Sequence, residues 1–221
     1  HERALGEALA KAMPGLNLSL SSTVQPEFRE FERFSTTVIN AYLQPVLAGY
    51  VARLAEGIAR LAPKAVLGIN QSSGGLMTPA TAQQLPVRTA LSGPAAGAMG
   101  AVAVARRVGI LDVITLDMGG TSADVALIRN AQPALAYQRT VANFPIRLPM
   151  VDIDTVGAGG GSIAWFDLDG LMKVGPQSAG AVPGPACYGQ GGTEPTVTDA
   201  NIALGRLSAR GLLGGGMALD A

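Results

Sequence analysis

Apolar residues Leu47, Val51, Leu54, Ile58 and Leu61 recur at steps of four, three, four and three, which puts their side chains on one helical face. Together with the EFREFERF run after Pro26, this spacing predicts a helix over residues 26–61, weakened by Gly49 and Gly57 and stopped by Pro63. AVLGI at 65–69 is a short apolar run suited to a buried strand, and the polar turn NQSSGG at 70–75 leads into a short helix near 79–84. In LSGPAAGAMGAVAVARRVG, 91–109, Ser92 suits a cap, Pro94 the first turn and Gly109 the stop. The body of that segment is small and apolar on all sides, which predicts a buried helix whose backbone neighbours approach closely.

The period then changes to that of strands. VITLDMGG (113–120) and SADVALIRN (122–130) read as two strands joined by a tight glycine turn, with PALAYQRTVANF (133–144) as a third. SIAWFD and LMKVG flank Asp169-Gly170, a dipeptide that favours a type I′ hairpin turn. Residues 175–195 form a long loop dense in Gly and Pro, and TVTDANIALGRL (196–207) closes with a capped helix. The pattern is that of an α/β protein with a mixed sheet flanked by helices. It divides into a helical and short-strand segment over 1–90 and an α/β lobe with a glycine-rich loop over 91–221. No internal repeat is present. The chain opens on HERALGEALAKAM, which reads as mid-helix and lacks an initial methionine, so a piece of a longer polypeptide is expected.

Composition narrows the chemistry. The 221 residues carry 16 basic and 16 acidic side chains, a balance that leaves no basic footprint for a nucleic acid. Only 14% are charged, and the 29 glycines are nearly twice the usual share of about 7%, so recognition by backbone groups is expected. There is one cysteine, Cys187, and one histidine, His1, which excludes a four-ligand zinc site, an intrachain disulfide and His-dependent triads inside the fold. A single cysteine fits a reducing compartment, no apolar run approaches the ~20 residues of a membrane span, and no charged and apolar leader opens the chain; the expected location is cytoplasmic.

What remains is carboxylates, hydroxyls and glycine-bound amides, and LDMGGTSAD (116–124) combines all three. A strand delivers Asp117 to its end, where a carboxylate suits Mg²⁺ held directly or through water. Gly119 and Gly120 let consecutive amides face outward as an anion-binding nest. Thr121 and Ser122 add hydroxyl donors, and Asp124 suits the orientation of a water, a metal or the Thr hydroxyl. The alternative is an ordinary hairpin with solvated aspartates. The preceding helix and following strands fit the second lobe of actin-like ATPases, and neither a Walker A loop nor a Rossmann fingerprint is present. A second cluster, TVGAGGGSIA (155–164), offers either another ligand-facing backbone surface or a bend at a strand end. In NQSSGGLM (70–77), Asn70, Gln71 and Ser73 suit an amide or ribose, the alternative being capping of the next turn. Cys187 has no activating base and is assigned to packing, as are Trp165 and Phe166.

Six blocks in order carry a wider likeness. PVRTALSGPAAGAMGA (86–101), TLDMGGTSADVALI (115–128), DTVGAGGGSIAW (154–165) and VGPQSAGAVPGPACYGQGGTEPTVTDANIALGRL (174–207) resemble the hydantoinase A / 5-oxoprolinase family, as do STTVINAYLQPVL (35–47) and INQSSGGLM (69–77). The resemblance runs from about residue 19 to about residue 215. It implies an actin-like ATPase (ribonuclease H-like) lobe and ATP- and Mg²⁺-dependent hydrolysis of a cyclic amide such as a hydantoin, 5-oxoproline or another lactam, with a hydantoinase B-type partner subunit. Related members serve ketone carboxylases, and a non-catalytic actin-fold nucleotide-binding module is a further alternative. By motif, Asp117, Gly119, Gly120, Thr121 and Ser122 match the family's phosphate hairpin and Asp124 its closing carboxylate. Gly157, Gly159, Gly160, Gly161 and Ser162 match its second glycine turn, and Asp117 and Asp124 are the implied catalytic pair with Asp117 on the metal. Family members carry another such hairpin near their N-terminus and continue beyond this chain's end. The expectation is therefore a central fragment whose N- and C-terminal counterparts complete the nucleotide clamp.

Overall fold

The computed structural model describes residues 1–208, 216–217 and 219–220. Helix α1 (Glu2–Ala12) precedes a single turn, α2 (Ser21–Val24). Glu2 caps that turn from outside: its two carboxylate oxygens accept from Ser21 N (2.6 Å) and Ser22 N (3.0 Å). Helix α3 (Glu30–Leu61) starts later than the expected residue 26 and runs through Pro45. Its Asn40 is fully buried and fully paired, with Nδ2 donating to Ser19 Oγ and the Gln84 carbonyl and Oδ1 accepting from Val87 N. This one amide ties α3 to three other segments.

Strands β1 (Ile69–Asn70) and β2 (Leu76–Met77) pair around the NQSSGG turn. They keep only the end of the expected 65–69 strand, and Val66 is 97% exposed. Helix α4 (Pro79–Gln84) occupies its expected place, with Thr78 Oγ1 accepting from Thr81 N. A 3₁₀ turn at Pro86–Thr89 leads to α5 (Ser92–Val108), which ends on Gly109 at φ 75 as its sequence predicts. Ser92 makes no cap, however; Leu91 enters the helix in a left-handed conformation, φ 57. Burial of α5 is one-sided, with Ala95, Ala98, Val102 and Ala105 inside and Val104 and Val108 exposed.

The strands that follow are β3 (Val113–Met118), β4 (Ala123–Arg129), β5 (Gln132–Pro133), β6 (Leu135–Ala136), β7 (Arg139–Val141), β8 (Phe144–Ile146), β9 (Met150–Val151), β10 (Ile153–Val156), β11 (Ser162–Phe166) and β12 (Met172–Ser178). A 3₁₀ turn at Ala186–Tyr188 precedes α6 (Val197–Ala203). The expected strand over 133–144 is broken because Ala142 and Asn143 both take positive φ and fold β7 back on β8. That pair, like Asn130-Ala131 between β4 and β5, has the positive φ at both central positions that a type I′ turn needs. Asp169-Gly170 does not. Only Gly170 has positive φ, Gly170 N donates to Asp167 O, and Asp167 Oδ1 accepts from Asp169 N and Leu171 N, so the turn is a three-residue loop organised by the Asp167 carboxylate.

The chain forms two compact units, each from two stretches of sequence: His1–Val113 with Leu127–Asp152, and Ile114–Ala126 with Ile153–Ala221. The expected boundary at residue 90 falls inside the first. That unit has its core in Val24, Leu85, Val87, Ile146, Leu148 and Met150, with satellites around Val51 and Val102. In the second, β10 runs antiparallel to β4, pairing Thr155 with Asp124 and Val156 with Ala123, and the sheet order is β10-β4-β3. Beside it the β11–β12 hairpin and α6 close a small core of Cys187, Ile202 and Leu219. No described helix is long and apolar enough to cross a membrane.

Candidate functional site: a glycine hairpin buttressed by a second glycine turn

The residues of the two glycine turns and Asp117 and Asp124 all lie in the second unit. Strand β3 carries Asp117 near its end, exposed and with no side-chain hydrogen bond or ion pair among the described residues. Gly119 N donates to Ser122 O at 2.8 Å. In a regular two-residue hairpin the return bond would run from Ser122 N to Gly119 O. Here the Gly119 carbonyl accepts instead from Gly160 N (2.9 Å), and the Gly120 carbonyl from Gly161 N (2.6 Å). The return bond from Ser122 N is not made, and the amides of Gly120, Thr121 and Ser122 donate to nothing among the described residues. Three successive amides on an exposed turn, with the Thr121 and Ser122 hydroxyls that also lack a partner among the described residues, are a set of donors of the kind that suits an anion, although neither Gly119 nor Gly120 takes the positive φ expected of a glycine nest.

The second turn has no amide or carbonyl left over at its three central glycines. Gly159 N donates to Ser162 Oγ, and Gly159 O accepts from Ser162 N. Gly160 O accepts from both the amide and the hydroxyl of Thr198 (2.8 Å each), and Gly161 O accepts from Ala179 N. Ser162 is fully buried. A Cβ added at Gly159 would lie 2.6 Å from Thr121 N and 2.7 Å from Gly119 O, so the two turns touch backbone to backbone and only glycine permits it. Gly157 alone of this group is exposed with a free amide among the described residues.

Asp124 projects from β4, half-buried, and its Oδ1 accepts from Thr155 Oγ1 at 2.6 Å across the β10–β4 ladder. One side of this carboxylate is thus fixed. Thr155 and Thr198 were not singled out from the sequence. Thr155 stands beside the glycine cluster, where strand pairing would have placed it; Thr198 is 38 residues from its partner Gly160, and no local signal marks it.

Asp199, another residue the sequence left unassigned, organises the flank of the glycine-rich loop. It accepts from Cys187 N (2.8 Å), Thr196 N and Thr196 Oγ1 (2.7 Å each), completing a capping box at the start of α6. Burial works to raise its pKa, but the hydrogen bonds from the Cys187 thiol and amide and from Thr196 outweigh it and hold the carboxyl below its ordinary value. The same burial, with the Asp199 charge, pushes the Cys187 thiol up to about 11. The assignment of Cys187 to packing fits its burial. At pH 8 the native thiol should alkylate about a hundredfold more slowly than a free cysteine, and unfolding in urea should restore it; stoichiometric labelling of native protein within minutes would contradict this. Because the folded pKa of Asp199 is depressed, its contribution to stability is complete above the ordinary value of 3.8 and is lost as pH falls through the lower folded value. An Asp199→Asn variant should flatten the acid limb of a stability–pH curve.

The third cluster, NQSSGG, lies in the first unit. Capping of α4 falls to Thr78, not to Asn70, Gln71 or Ser73. Ser72 is instead the structural residue: 3% exposed, its Oγ donates to the carbonyls of Arg88 (2.7 Å) and Ala90 (2.6 Å), its N donates to Arg88 O, and its O accepts from Val151 N.

For Mg²⁺ the donor set is sparse. No group of three His, Cys, Asp or Glu side chains is gathered among the described residues. Exposed, unpaired Asp117 fits an ion that keeps most of its waters and takes its other oxygens from a phosphate, the usual Mg²⁺ arrangement, and does not fit an all-protein cage.

These features define an α/β protein with the hydantoinase/actin-like ATPase fold. The chain belongs to the hydantoinase/oxoprolinase family, whose profile matches residues 33–221. It is 42% identical over its whole length to caprolactamase subunit alpha of Pseudomonas jessenii, of which it spans 32%. The crystal structure of the ATP-dependent caprolactamase from that organism superposes on the whole chain with a TM-score of 0.80. A 5-oxoprolinase of Saccharomyces cerevisiae is 38% identical over 94% of the chain, which covers 16% of that protein. A nucleotide-free acetone carboxylase structure, 28% identical, matches 99% of the chain and 31% of its own with a TM-score of 0.72. The chain therefore spans a third or less of these relatives.

Proposed function

We propose that this chain is the phosphate-gripping lobe of an ATP-dependent hydrolase that opens a cyclic amide. The observation that carries the reading is the turn at Gly119–Ser122, whose amides at 120, 121 and 122 have no partner among the described residues while its Gly119 and Gly120 carbonyls are bonded to the second glycine turn. Such preorganised donors hold phosphate oxygens without reorganising during the reaction.

Bound ATP supplies a phosphoryl group that turns the amide oxygen from a poor leaving group into a good one. The residues of this chain position and stabilise. Gly120, Thr121 and Ser122 donate to phosphate oxygens, and the exposed amide of Gly157 is placed to add a further donor. Asp117 would hold Mg²⁺, directly or through water, and Asp124, fixed by Thr155, would orient a water or the Thr121 hydroxyl. Gly159–Ser162 do not touch the nucleotide in this scheme; they set the shape of the turn that does. The remaining parts of the same subunit supply the other half of the clamp, and a hydantoinase B-type partner completes ring opening.

The test is ATP turnover by the full-length polypeptide with its partner subunit, with hydantoin, 5-oxoproline or caprolactam added in turn. At least one lactam should raise turnover tenfold or more and be opened stoichiometrically with ATP consumed. The likeness to acetone carboxylase supports a second reading, ketone carboxylation. Stimulation by acetone plus bicarbonate and by no cyclic amide would replace the first reading with the second, and no stimulation by either would remove both.

A further inference from the structure

A small cavity in the first unit is lined by several polar side chains that have no partner among the described residues. It measures about 150 Å³, and Gln25, Gln71, Ser73 and Arg88 line it with Leu148 and Pro149. Gln25 is only 4% exposed, yet its side-chain amide makes no hydrogen bond among the described residues. The side chains of Gln71, Ser73 and half-buried Arg88 likewise have no hydrogen-bond or ion-pair partner among the described residues. Neither the Gln25 amide nor the Arg88 guanidinium is sealed from solvent, so both are donors that a ligand entering the cavity can take.

The nearby acidic group does not complete them. Glu27, two residues beyond Gln25, accepts from Arg147 Nε at 2.7 Å. The walls are also held in place. Ser72 bonds the loop carrying Gln71 and Ser73 directly to the carbonyl of Arg88. Gly74, at φ 85, packs so closely that an added Cβ would lie 2.8 Å from Met99, which fixes the turn on its other side. The backbone that carries Gln71, Ser73 and Arg88 is thus tied down.

We propose that this cavity is a binding site for a small organic carboxylate, with Arg88 as its anchor. A guanidinium presents two parallel N–H donors that match the two oxygens of a carboxylate. One cation suits one negative charge, and the Gln and Ser side chains supply the mixed donors and acceptors that a neighbouring amide or amine needs. The volume lies below the roughly 300–1,000 Å³ of sites for drug-sized ligands, which excludes a nucleotide and admits a molecule the size of a five-membered lactam acid. Such a carboxylate has two sources in lactam chemistry: an acid group already on the ring, or the acid that appears when the ring opens. The choice of lactam acids rests on the proposed function above, but the site itself does not depend on the nucleotide reading, because it shares no residue with the hairpin.

Calorimetric titration of the full-length polypeptide without nucleotide tests it, using 2-pyrrolidone, 5-oxoproline and 4-aminobutyrate as neutral ring, ring acid and opened acid. At least one of the two acids should bind tenfold or more tighter than 2-pyrrolidone, and the better of them identifies the source. Arg88→Gln should abolish that preference, Arg88→Lys should keep only part of it, and Ser73→Ala should weaken it a few-fold. ATP binding, measured separately on each variant, should stay unchanged, so failure of this site and failure of the nucleotide reading are distinguishable. Equal affinity for all three probes, an Arg88→Gln variant that still binds the acid, or displacement of the acid by equimolar inorganic phosphate would overturn the proposal. If Arg88→Gln does not fold, the Arg88→Lys and Ser73→Ala titrations decide by the same criteria.

Discussion

Replacing Gly159 with alanine should lower ATP turnover of the full-length polypeptide by about a hundredfold, the scale on which small misplacements of positioned groups act. The added carbon would sit 2.6 Å from Thr121 N and 2.7 Å from both Gly119 O and Gly120 C, all backbone atoms that no rotamer change can move aside. Relief requires the hairpin to shift away from the second turn, which stretches the Gly160–Gly119 and Gly161–Gly120 bonds and displaces the amides proposed to hold phosphate. Overpacking of this kind also costs about 1–3 kcal/mol of stability, so the urea midpoint should fall as well. Gly57→Ala is the control: it lies in α3 with no heavy atom within 4 Å of the added carbon, and should gain about 0.5–1 kcal/mol from helix propensity with turnover unchanged. A Gly159→Ala protein with normal turnover would show that the contact between the turns does not shape the site.

Asp117→Asn should cost a similar factor by a different route. The side chain is exposed and unpaired among the described residues, so its loss removes no fold-stabilising contact and the melting temperature should hold within a degree or two. Turnover should fall by about 10²-fold or more, the usual scale for losing one electrostatic contact made in the transition state, and the Mg²⁺ concentration for half-maximal rate should rise. Full retention of activity would remove Asp117 from the mechanism. Asp124→Asn is expected to act more through position, since Thr155 holds one of its oxygens; Thr155→Val should reproduce most of its effect and Thr155→Ser should restore it.

Much of the architecture was legible because it is written in short-range pattern. The helical spacing from Leu47 to Leu61, the Gly109 stop and the capped helix that begins after Thr196 all depend on residues a few positions apart, and each has its expected place. Where reading failed, the deciding contact was distant or the turn was controlled by an unexpected side chain. Asp169-Gly170 has the composition of a type I′ turn, but the Asp167 carboxylate bonds two loop amides and selects another geometry. Ser92 has the composition of a cap, but Leu91 enters α5 left-handed and leaves it no such bond.

The candidate site divides along the same line. By itself the sequence determined the chemical inventory: no internal histidine, one buried cysteine, a strand-borne aspartate before two glycines and two hydroxyls, and enough ordered motifs to indicate the family. These are properties of residue type and close spacing. Only the tertiary structure decided what each glycine does, because a glycine-rich string is silent about which backbone atoms will face it. It brings residues 119–120 against 160–161, some forty positions apart, so that the hairpin's carbonyls accept from the second turn and the return bond from Ser122 N is not made. The role proposed for the first turn thus rests on a shape set by hydrogen bonds with the second, and that dependence exists only once the chain has folded.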